Sequence, residues 1–205
     1  MLMRRMMGLG RKREFAIFNV VLFLWVFWAV NVYGQVKGYA DAETNKILKK
    51  EAVVDLPLKN FHQVDIGVYR SEQPGHNAFR MLEAFGIREI LNLRSFHTDN
   101  KQAETTNLIL HQVRMQAHNI NDKEIIAALR IIKNRSGDIL IHCQHGSDRT
   151  GVVCAMYHIV FQGWSKEKAI NDLVNGGYGH HSIFKNIPNY IKRVDVDKIK
   201  KSVFD

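Results

Sequence analysis

The pattern of apolar and polar positions from residue 65 onward predicts strands that alternate with helices. Runs of β-branched and apolar residues predict strands at residues 65–70, 87–93, 108–115 and 139–142. Apolar residues spaced three and four apart predict helices at residues 76–85, 121–133, 150–162, 165–174 and 183–191. We therefore predict an α/β fold, with a mostly parallel central sheet flanked by helices. In such folds the binding site lies at the carboxyl ends of the strands.

Two of the predicted helices carry sequence signals at their ends. Asn121 followed by Glu124 has the spacing of a capping box, which satisfies free N–H groups at the start of a helix. Gly86 directly follows the helix predicted at residues 76–85, where a left-handed backbone conformation suits glycine. These signals place one helix start at residue 121 and one helix end at residue 85.

Residues 1–34 have the layout of a secretory signal. Five basic side chains precede an apolar run at residues 15–32, which only Asn19 and Asn31 interrupt, and Gly34 supplies a small residue for processing. The alternative is an uncleaved anchor that associates with the inner membrane through residues 15–33, because the run is near the lower length limit for a membrane span. In both cases the basic flank stays cytoplasmic. We expect a periplasmic protein, or one anchored in the inner membrane with its folded domain outside the cytoplasm.

The chain divides into three predicted parts. Residues 1–34 are the signal peptide or membrane anchor, residues 35–63 are an N-terminal arm or linker, and residues 64–205 form the folded domain. At this length, one domain with an adequate hydrophobic core accounts for the rest of the chain.

Charge and cysteine content narrow the function classes. The formal net charge is +9, but the N-terminal segment contributes five basic residues and one acid, which leaves +5 over the rest of the chain. This modest net positive charge suits an anionic substrate and is no evidence for a nucleic-acid partner, so we predict none. The chain has two cysteines, so no disulfide framework is expected.

The chemistry is concentrated in residues 142–151, which read H-C-x5-R-T-G between a predicted strand and a predicted helix. A strand, a short loop and a helix N-terminus make an anion cradle from inward-facing N–H groups and the helix dipole. Positive potential there favours the thiolate form of Cys143, and the Arg149 fork can hold two phosphoryl oxygens. The predicted phosphate-binding residues are Gln144, His145, Gly146, Ser147, Asp148 and Arg149. These parts predict a phosphate-ester hydrolase that works through a phosphocysteine intermediate.

A single cysteine is more often a small buried apolar residue than a nucleophile. We interpret Cys154 in this way, because it lies among apolar residues of a predicted helix. Cys143 differs, since Gly146 permits close backbone approach and Thr150 can donate a hydrogen bond to the thiolate. We therefore include Cys143, Arg149 and Thr150 among the candidate catalytic residues.

The motif resembles that of the cysteine-dependent protein tyrosine and dual-specificity phosphatases. Residues 68–74 resemble the opening strand and turn of the small dual-specificity type, and residues 155–164 and 176–179 resemble the bacterial periplasmic tyrosine phosphatases. The resemblance covers residues 64–203 and implies a single dual-specificity-phosphatase-like domain. It implies an enzyme that needs no cofactor and dephosphorylates phosphotyrosine proteins, with phosphoserine and phosphothreonine proteins as further substrates.

Two alternatives remain open. The first is a phosphoinositide or inositol-polyphosphate phosphatase, although related lipid phosphatases carry lysines in the loop where this chain has Gln144 and His145. The second is a phosphate-binding pseudophosphatase, against which the intact Cys143 and Arg149 argue. We predict no metal site, because the adjacent His180 and His181 have no further ligands at the required spacing.

The general acid is where the sequence departs from the family. Relatives supply an Asp from a loop before the last helix ahead of the motif, but residues 115–121 contain no carboxylate and place His118 there. We favour Asp148, because an Asp before the motif Arg resembles the arrangement in myotubularin and Sac-type phosphatases. Asp122 is a further candidate, although its position also suits a helix first turn. Asp99, on the loop after the strand predicted at residues 87–93, is the remote alternative.

Overall fold

A five-stranded sheet with the order β1-β2-β5-β3-β4 forms the centre of the computed structural model, which describes Leu56 and residues 58–205. The strands are β1 (His62–Asp65), β2 (Val68–Ser71), β3 (Ile87–Asn92), β4 (Ile109–Gln112) and β5 (Asp138–His142). β1 pairs antiparallel with β2, and all the other pairs are parallel. The predicted α/β class with a mostly parallel sheet is confirmed.

Helices cover both faces of this sheet. They are α1 (His76–Phe85), α2 (Asp122–Lys133), α3 (Asp148–Gln162), α4 (Lys166–Asn175), α5 (Asn186–Arg193) and α6 (Val196–Phe204). Successive residues of β5 point to opposite faces, as expected of a strand buried on both sides. Leu140 packs in the cluster that contains α1, whereas Ile139 and Ile141 pack in the larger cluster that contains α3.

Helix α3 is the central helix of the larger core. Twelve of its residues are buried, and it contacts β5 and four other helices. A helix that is apolar on all sides must be enclosed by other elements, and α3 meets that condition. Its N-terminus is thereby held rigidly at the end of β5, which is the junction that carries the predicted chemistry.

Several predicted boundaries are corrected by the structure. The single strand predicted at residues 65–70 is two strands, because Gly67 adopts a φ of 70° and turns the chain between β1 and β2. The strand predicted at residues 108–115 is limited to the four residues of β4. The last predicted helix starts three residues later than expected, at Asn186, and α6 was not predicted at all.

Both helix-end signals are confirmed. The Asn121 side chain accepts a hydrogen bond from the Glu124 N–H at the start of α2, and Gly86 ends α1 in the left-handed conformation with a φ of 107°. The N-cap of α4 is Ser165, which accepts from the Lys168 N–H.

The signal-peptide or anchor prediction for residues 1–34 lies outside the described residues, and so does most of the predicted arm. At the end of that arm, Leu56, Leu58 and Phe61 pack against the cluster around α1, so these residues are part of the packed domain. None of the helices in the described part of the chain is both long and apolar enough to cross a membrane.

Candidate active site

The register of the sheet brings the predicted nucleophile to the carboxyl edge of the parallel strands. His142, the last residue of β5, pairs with Ser71 of β2 on one side and with Asn92 of β3 on the other. Cys143 therefore starts its loop between the ends of two neighbouring strands. This is the edge where open α/β sheets bind ligands.

The loop after Cys143 turns its carbonyl groups outward. The carbonyl oxygens of residues 144, 145 and 146 accept hydrogen bonds from the Gln73 N–H at 3.2 Å, Asn60 Nδ2 at 2.8 Å and Arg70 Nη2 at 2.7 Å, respectively. In a planar trans peptide, the C=O of one residue and the N–H of the next point in opposite directions. The N–H groups of residues 145–147 therefore point away from these partners, which is the arrangement that an anion cradle requires.

Gly146 is required at its position. Its φ is 72°, and a Cβ atom there would lie 2.5 Å from the Ser71 carbonyl oxygen and 2.8 Å from the Glu72 nitrogen. Both of these are backbone atoms, so a larger side chain at this position would have to displace the backbone at the end of β2. The close approach that the sequence predicts for Gly146 is thus present, and it locks the loop against the end of β2.

The two principal residues of the motif lie at this cradle. Cys143 is buried, with 2% of its surface exposed, and Arg149 is half-buried in the first turn of α3. The Arg149 Nε atom is buried and has no hydrogen-bond partner among the described residues. A buried, unpartnered guanidinium donor beside a helix N-terminus is suited to bind an anion.

The hydrogen bond predicted from Thr150 to the Cys143 thiolate is not formed. Thr150 is fully buried, and its hydroxyl has no hydrogen-bond partner among the described residues. Thr150 lies within α3, where helix geometry fixes the direction of the side chain.

His142 is braced by a buried carboxylate. Its Nε2 lies 2.7 Å from Asp99 Oδ2, and its Nδ1 lies 3.2 Å from the Cys143 carbonyl oxygen. Burial raises the pKa of Asp99, but the hydrogen bond and the charge of His142 outweigh it and lower that pKa below its ordinary value. Asp99 is therefore an ionised acceptor that orients His142, and this does not favour it as a proton donor.

Asp148, the favoured general acid, is held in a comparable way by His181. Its Oδ2 lies 2.7 Å from His181 Nδ1, and its Oδ1 accepts from the His181 N–H at 3.0 Å. His180 Nδ1 also lies 3.0 Å from this Oδ1, but it forms no hydrogen bond with any of the described residues. These contacts occupy both carboxylate oxygens and connect the loop to residues 180–181, so they favour a bracing role. No group of three or more candidate metal ligands occurs in the described part of the chain.

A cavity of about 320 Å³ opens beside the cradle. Its walls include two arginines, two histidines, a loop glutamine and two phenylalanines, namely Arg94, Arg149, His97, His118, Gln144, Phe96 and Phe184. Phe96 is 85% exposed, and Phe184 is half-buried. The cavity thus combines cations with aromatic surface.

Among the candidate acids, only His118 lines this cavity. Asp122 lies in the first turn of α2, where it accepts hydrogen bonds from the Tyr190 hydroxyl at 3.0 Å and Lys198 Nζ at 3.3 Å. Those contacts join α2 to α5 and α6, so Asp122 has the structural role that its sequence position suggested. The geometry favours His118 over Asp148 as the residue that can reach a leaving group.

Sequence reasoning did not identify Arg94 and Gln73 as site residues. Arg94 Nη1 donates a hydrogen bond to Gln73 Oε1 at 3.0 Å, and Arg94 shares the cavity wall with Arg149. A signal was available, because Arg94 directly follows the strand predicted at residues 87–93 and Gln73 comes three residues after the strand predicted at residues 65–70. Both positions are close to the ligand-binding edge of the sheet.

Comparison with known proteins agrees with this geometry. The profile of the tyrosine phosphatase family matches residues 55–203. The dual specificity protein phosphatase TpbA of Pseudomonas aeruginosa is 30% identical over 148 residues, which are 70% of this chain and 66% of TpbA. The aligned part thus spans just under two thirds of that relative.

Two solved structures are similar over the same region. A crystal structure of a cysteine-to-serine variant of Pseudomonas aeruginosa TpbA in complex with pTyr has a TM-score of 0.65 and 26% identity, and covers 71% of this chain and 91% of that one. The core catalytic domain of the PP-IP phosphatase SIW14 from Saccharomyces cerevisiae, in complex with citrate, has a TM-score of 0.61 and 28% identity. That match covers 71% of this chain and 91% of the SIW14 chain.

Proposed function

We propose that this chain, which belongs to the tyrosine phosphatase family, hydrolyses the phosphate ester of phosphotyrosine in proteins. Phosphoserine and phosphothreonine proteins are the secondary substrates. The observation that carries the proposal is the cradle itself, which has Cys143 directly after β5 and Arg149 in the first turn of α3. The loop carbonyls are held outward, so the N–H groups on the opposite side are free for phosphoryl oxygens.

The reaction has two steps. The Cys143 thiolate attacks phosphorus, a sulfur–phosphorus bond forms, and the bond from phosphorus to the tyrosine oxygen breaks while that oxygen takes a proton. Water then attacks the phosphocysteine, which releases inorganic phosphate and restores the thiolate. Arg149 and the loop N–H groups stabilise the charge on the phosphoryl oxygens in both steps.

The walls of the cavity support an aryl phosphate. Phe96 and Phe184 offer aromatic surface beside the cradle, which suits the phenyl ring of phosphotyrosine. The loop presents Gln144 and His145 rather than lysines, so it does not add fixed cations for further phosphates. The similarity to TpbA, a dual specificity protein phosphatase, supports the same substrate class.

The second candidate function is hydrolysis of an inositol polyphosphate. It is supported by the similarity of this chain to the core of the PP-IP phosphatase SIW14. Arg94 supports it too, because it adds a second cation to the cavity.

A substrate panel tests these candidates with the full-length protein. We expect turnover of p-nitrophenyl phosphate, which a phosphate-binding pseudophosphatase would not show. We expect kcat/KM for phosphotyrosine peptides to exceed that for inositol polyphosphates by about tenfold or more, a ratio within the usual range of enzyme discrimination. The reverse order would favour the second candidate, and no turnover of any phosphate ester would exclude both.

The leaving tyrosine oxygen needs a proton, and we propose His118 as its source. The exposed His118 side chain lies on the cavity wall, whereas Asp148 and Asp122 are each held by other side chains and do not line the cavity. His118→Ala should reduce the turnover rate of phenyl phosphate and phosphotyrosine, which have poor leaving groups, by a factor of about 10²–10⁴. It should slow a dinitrophenyl phosphate much less, because that leaving group departs without a proton.

Three control variants make this test specific. His97→Ala removes another exposed histidine of the same cavity wall and should leave the dependence on the leaving group as it is. Asp148→Asn should reduce turnover of all substrates in proportion, since it loosens the loop. Asp122→Asn should not change how turnover depends on the leaving group of the substrate. A selective defect for poor leaving groups in Asp148→Asn, with none in His118→Ala, would restore Asp148 as the general acid.

A further inference from the structure

Arg94 is a second cation in the active-site cavity. It follows β3 at the carboxyl edge of the sheet and lines the same cavity as Arg149. No carboxylate of the described residues lies within ion-pair distance of its guanidinium group. Asp99 acts on Arg94 only at longer range, and its carboxylate is already paired with His142. The charge of Arg94 is therefore available to a ligand.

A chain of hydrogen bonds holds Arg94 in position. Arg94 Nη1 donates to Gln73 Oε1 at 3.0 Å, and Gln73 Nε2 donates to Asp99 Oδ1 at 2.9 Å. The amide of Gln73 is oriented by these two partners, because its oxygen can only accept and its nitrogen can only donate. Through Asp99 the chain continues to His142, next to the nucleophile. A guanidinium fixed in this way loses little freedom when it binds an anion.

The electrostatics of the cavity favour an anion at Arg94. Burial, and then the positive charge of Arg149, lower the pKa of Arg94, while Asp99 and Cys143 act in the opposite direction. Two guanidinium groups that share one cavity repel each other, and a bound anion relieves this repulsion. Arg149, in the first turn of α3, is the proposed ligand of the scissile phosphoryl group, so Arg94 is placed for a second anionic group.

We propose that Arg94 determines specificity by binding the carboxylate of an acidic side chain next to phosphotyrosine in the substrate. This inference rests on the proposed function and names the sequence context that the cavity selects. A single carboxylate fits better than several phosphates, because Arg94 adds one fixed cation while Phe96 and Phe184 contribute apolar surface.

The experiment compares matched phosphotyrosine peptides in the full-length protein. In each pair, a glutamate next to the phosphotyrosine is replaced by glutamine, which has the same shape without the charge. Wild type should prefer the glutamate peptide by about tenfold in kcat/KM, mainly through KM, as expected for one charge-assisted hydrogen bond. The preference should decrease as salt is raised.

Three variants identify Arg94 as the source of the preference. Arg94→Gln should remove it, and Arg94→Lys should retain part of it, because lysine keeps the charge but not the planar fork. Arg94→Glu should reverse it in favour of a peptide with lysine at the same position. The matched control is Arg80→Gln on α1, an exposed arginine whose Nη2 donates to Asn77 and which does not line the cavity. It should keep the wild-type preference.

The possible results separate this inference from the proposed function. If wild type hydrolyses both peptides equally, or if Arg94→Gln keeps the preference, the inference is wrong and the proposed function stands. If Arg94→Gln reduces hydrolysis of inositol polyphosphates more than hydrolysis of glutamate peptides, Arg94 binds a phosphate and the inference is again wrong. If wild type hydrolyses p-nitrophenyl phosphate but no phosphotyrosine peptide, the proposed function and the inference both fail.

Discussion

Cys143→Ser should abolish turnover of every phosphate ester and leave the fold intact. A serine hydroxyl stays protonated at neutral pH and is a far weaker nucleophile than a thiolate, so the first step cannot proceed. The substitution changes one atom of a side chain that is 2% exposed, so we expect little change in thermal stability. The measurements are kcat on p-nitrophenyl phosphate and the melting temperature of the variant.

The second cysteine provides a matched control. Cys154 lies in the buried interior of α3, where burial raises the pKa of its thiol despite the nearby Arg70 charge. It therefore stays a thiol and cannot replace Cys143 as a nucleophile. Cys154→Ala should retain catalytic activity, although the small cavity that it creates lowers stability by about 1 kcal/mol or somewhat more.

Trapping of the intermediate tests the same mechanism directly. Wild-type protein that is quenched with acid during turnover should carry one phosphate on Cys143, detectable by mass spectrometry of the peptide. The Cys143→Ser variant should bind substrate and show no phosphate on this peptide. Activity of the serine variant near that of wild type, together with an unlabelled Cys143 in wild type, would exclude the phosphocysteine mechanism.

The parts of the site that could be predicted from sequence are local in the chain. Cys143, Gly146 and Arg149 lie within seven consecutive residues, and the position of this motif between an apolar strand and an apolar helix shows in the hydrophobic pattern. The central strand and helix are buried on all sides, so their sequences are the least ambiguous in the chain. This explains why the cradle and the α/β class could be inferred from the sequence alone.

The partners that hold the loop could not be predicted in this way. Asn60 and Arg70 bind the loop carbonyls from 85 and 76 residues away in the chain. Such long-range contacts leave no periodic signal in one sequence, because any polar residue at a strand end can make them. The bracing of Asp148 could not be predicted for the same reason. Asp148 has a suggestive position in the motif, but its pairing with His181, 33 residues later, becomes visible only in the fold.

Arg149→Lys should reduce kcat/KM by about 10²–10³ and leave the fold unchanged. Lysine keeps the positive charge but loses the planar pair of donors that binds two phosphoryl oxygens at once. The loss of one preorganised donor to the charge that develops in the transition state costs a factor of this size. The buried Arg149 Nε, which has no partner among the described residues, supports a role in binding an anion rather than in holding the fold.

A matched arginine separates this effect from a general cost of replacing arginine by lysine. Arg135 also makes two contacts, from Nη1 to the Ile132 carbonyl at 2.8 Å and from Nη2 to the Ile66 carbonyl at 3.3 Å. It lies at the opposite edge of the sheet from the cradle, so Arg135→Lys should affect stability and not kcat/KM. Inorganic phosphate should protect wild type against thermal unfolding more than it protects Arg149→Lys, because the variant binds the anion less tightly. If Arg149→Lys stays within about tenfold of wild type and is protected equally, Arg149 supports the loop through packing and does not bind the transferred phosphoryl group.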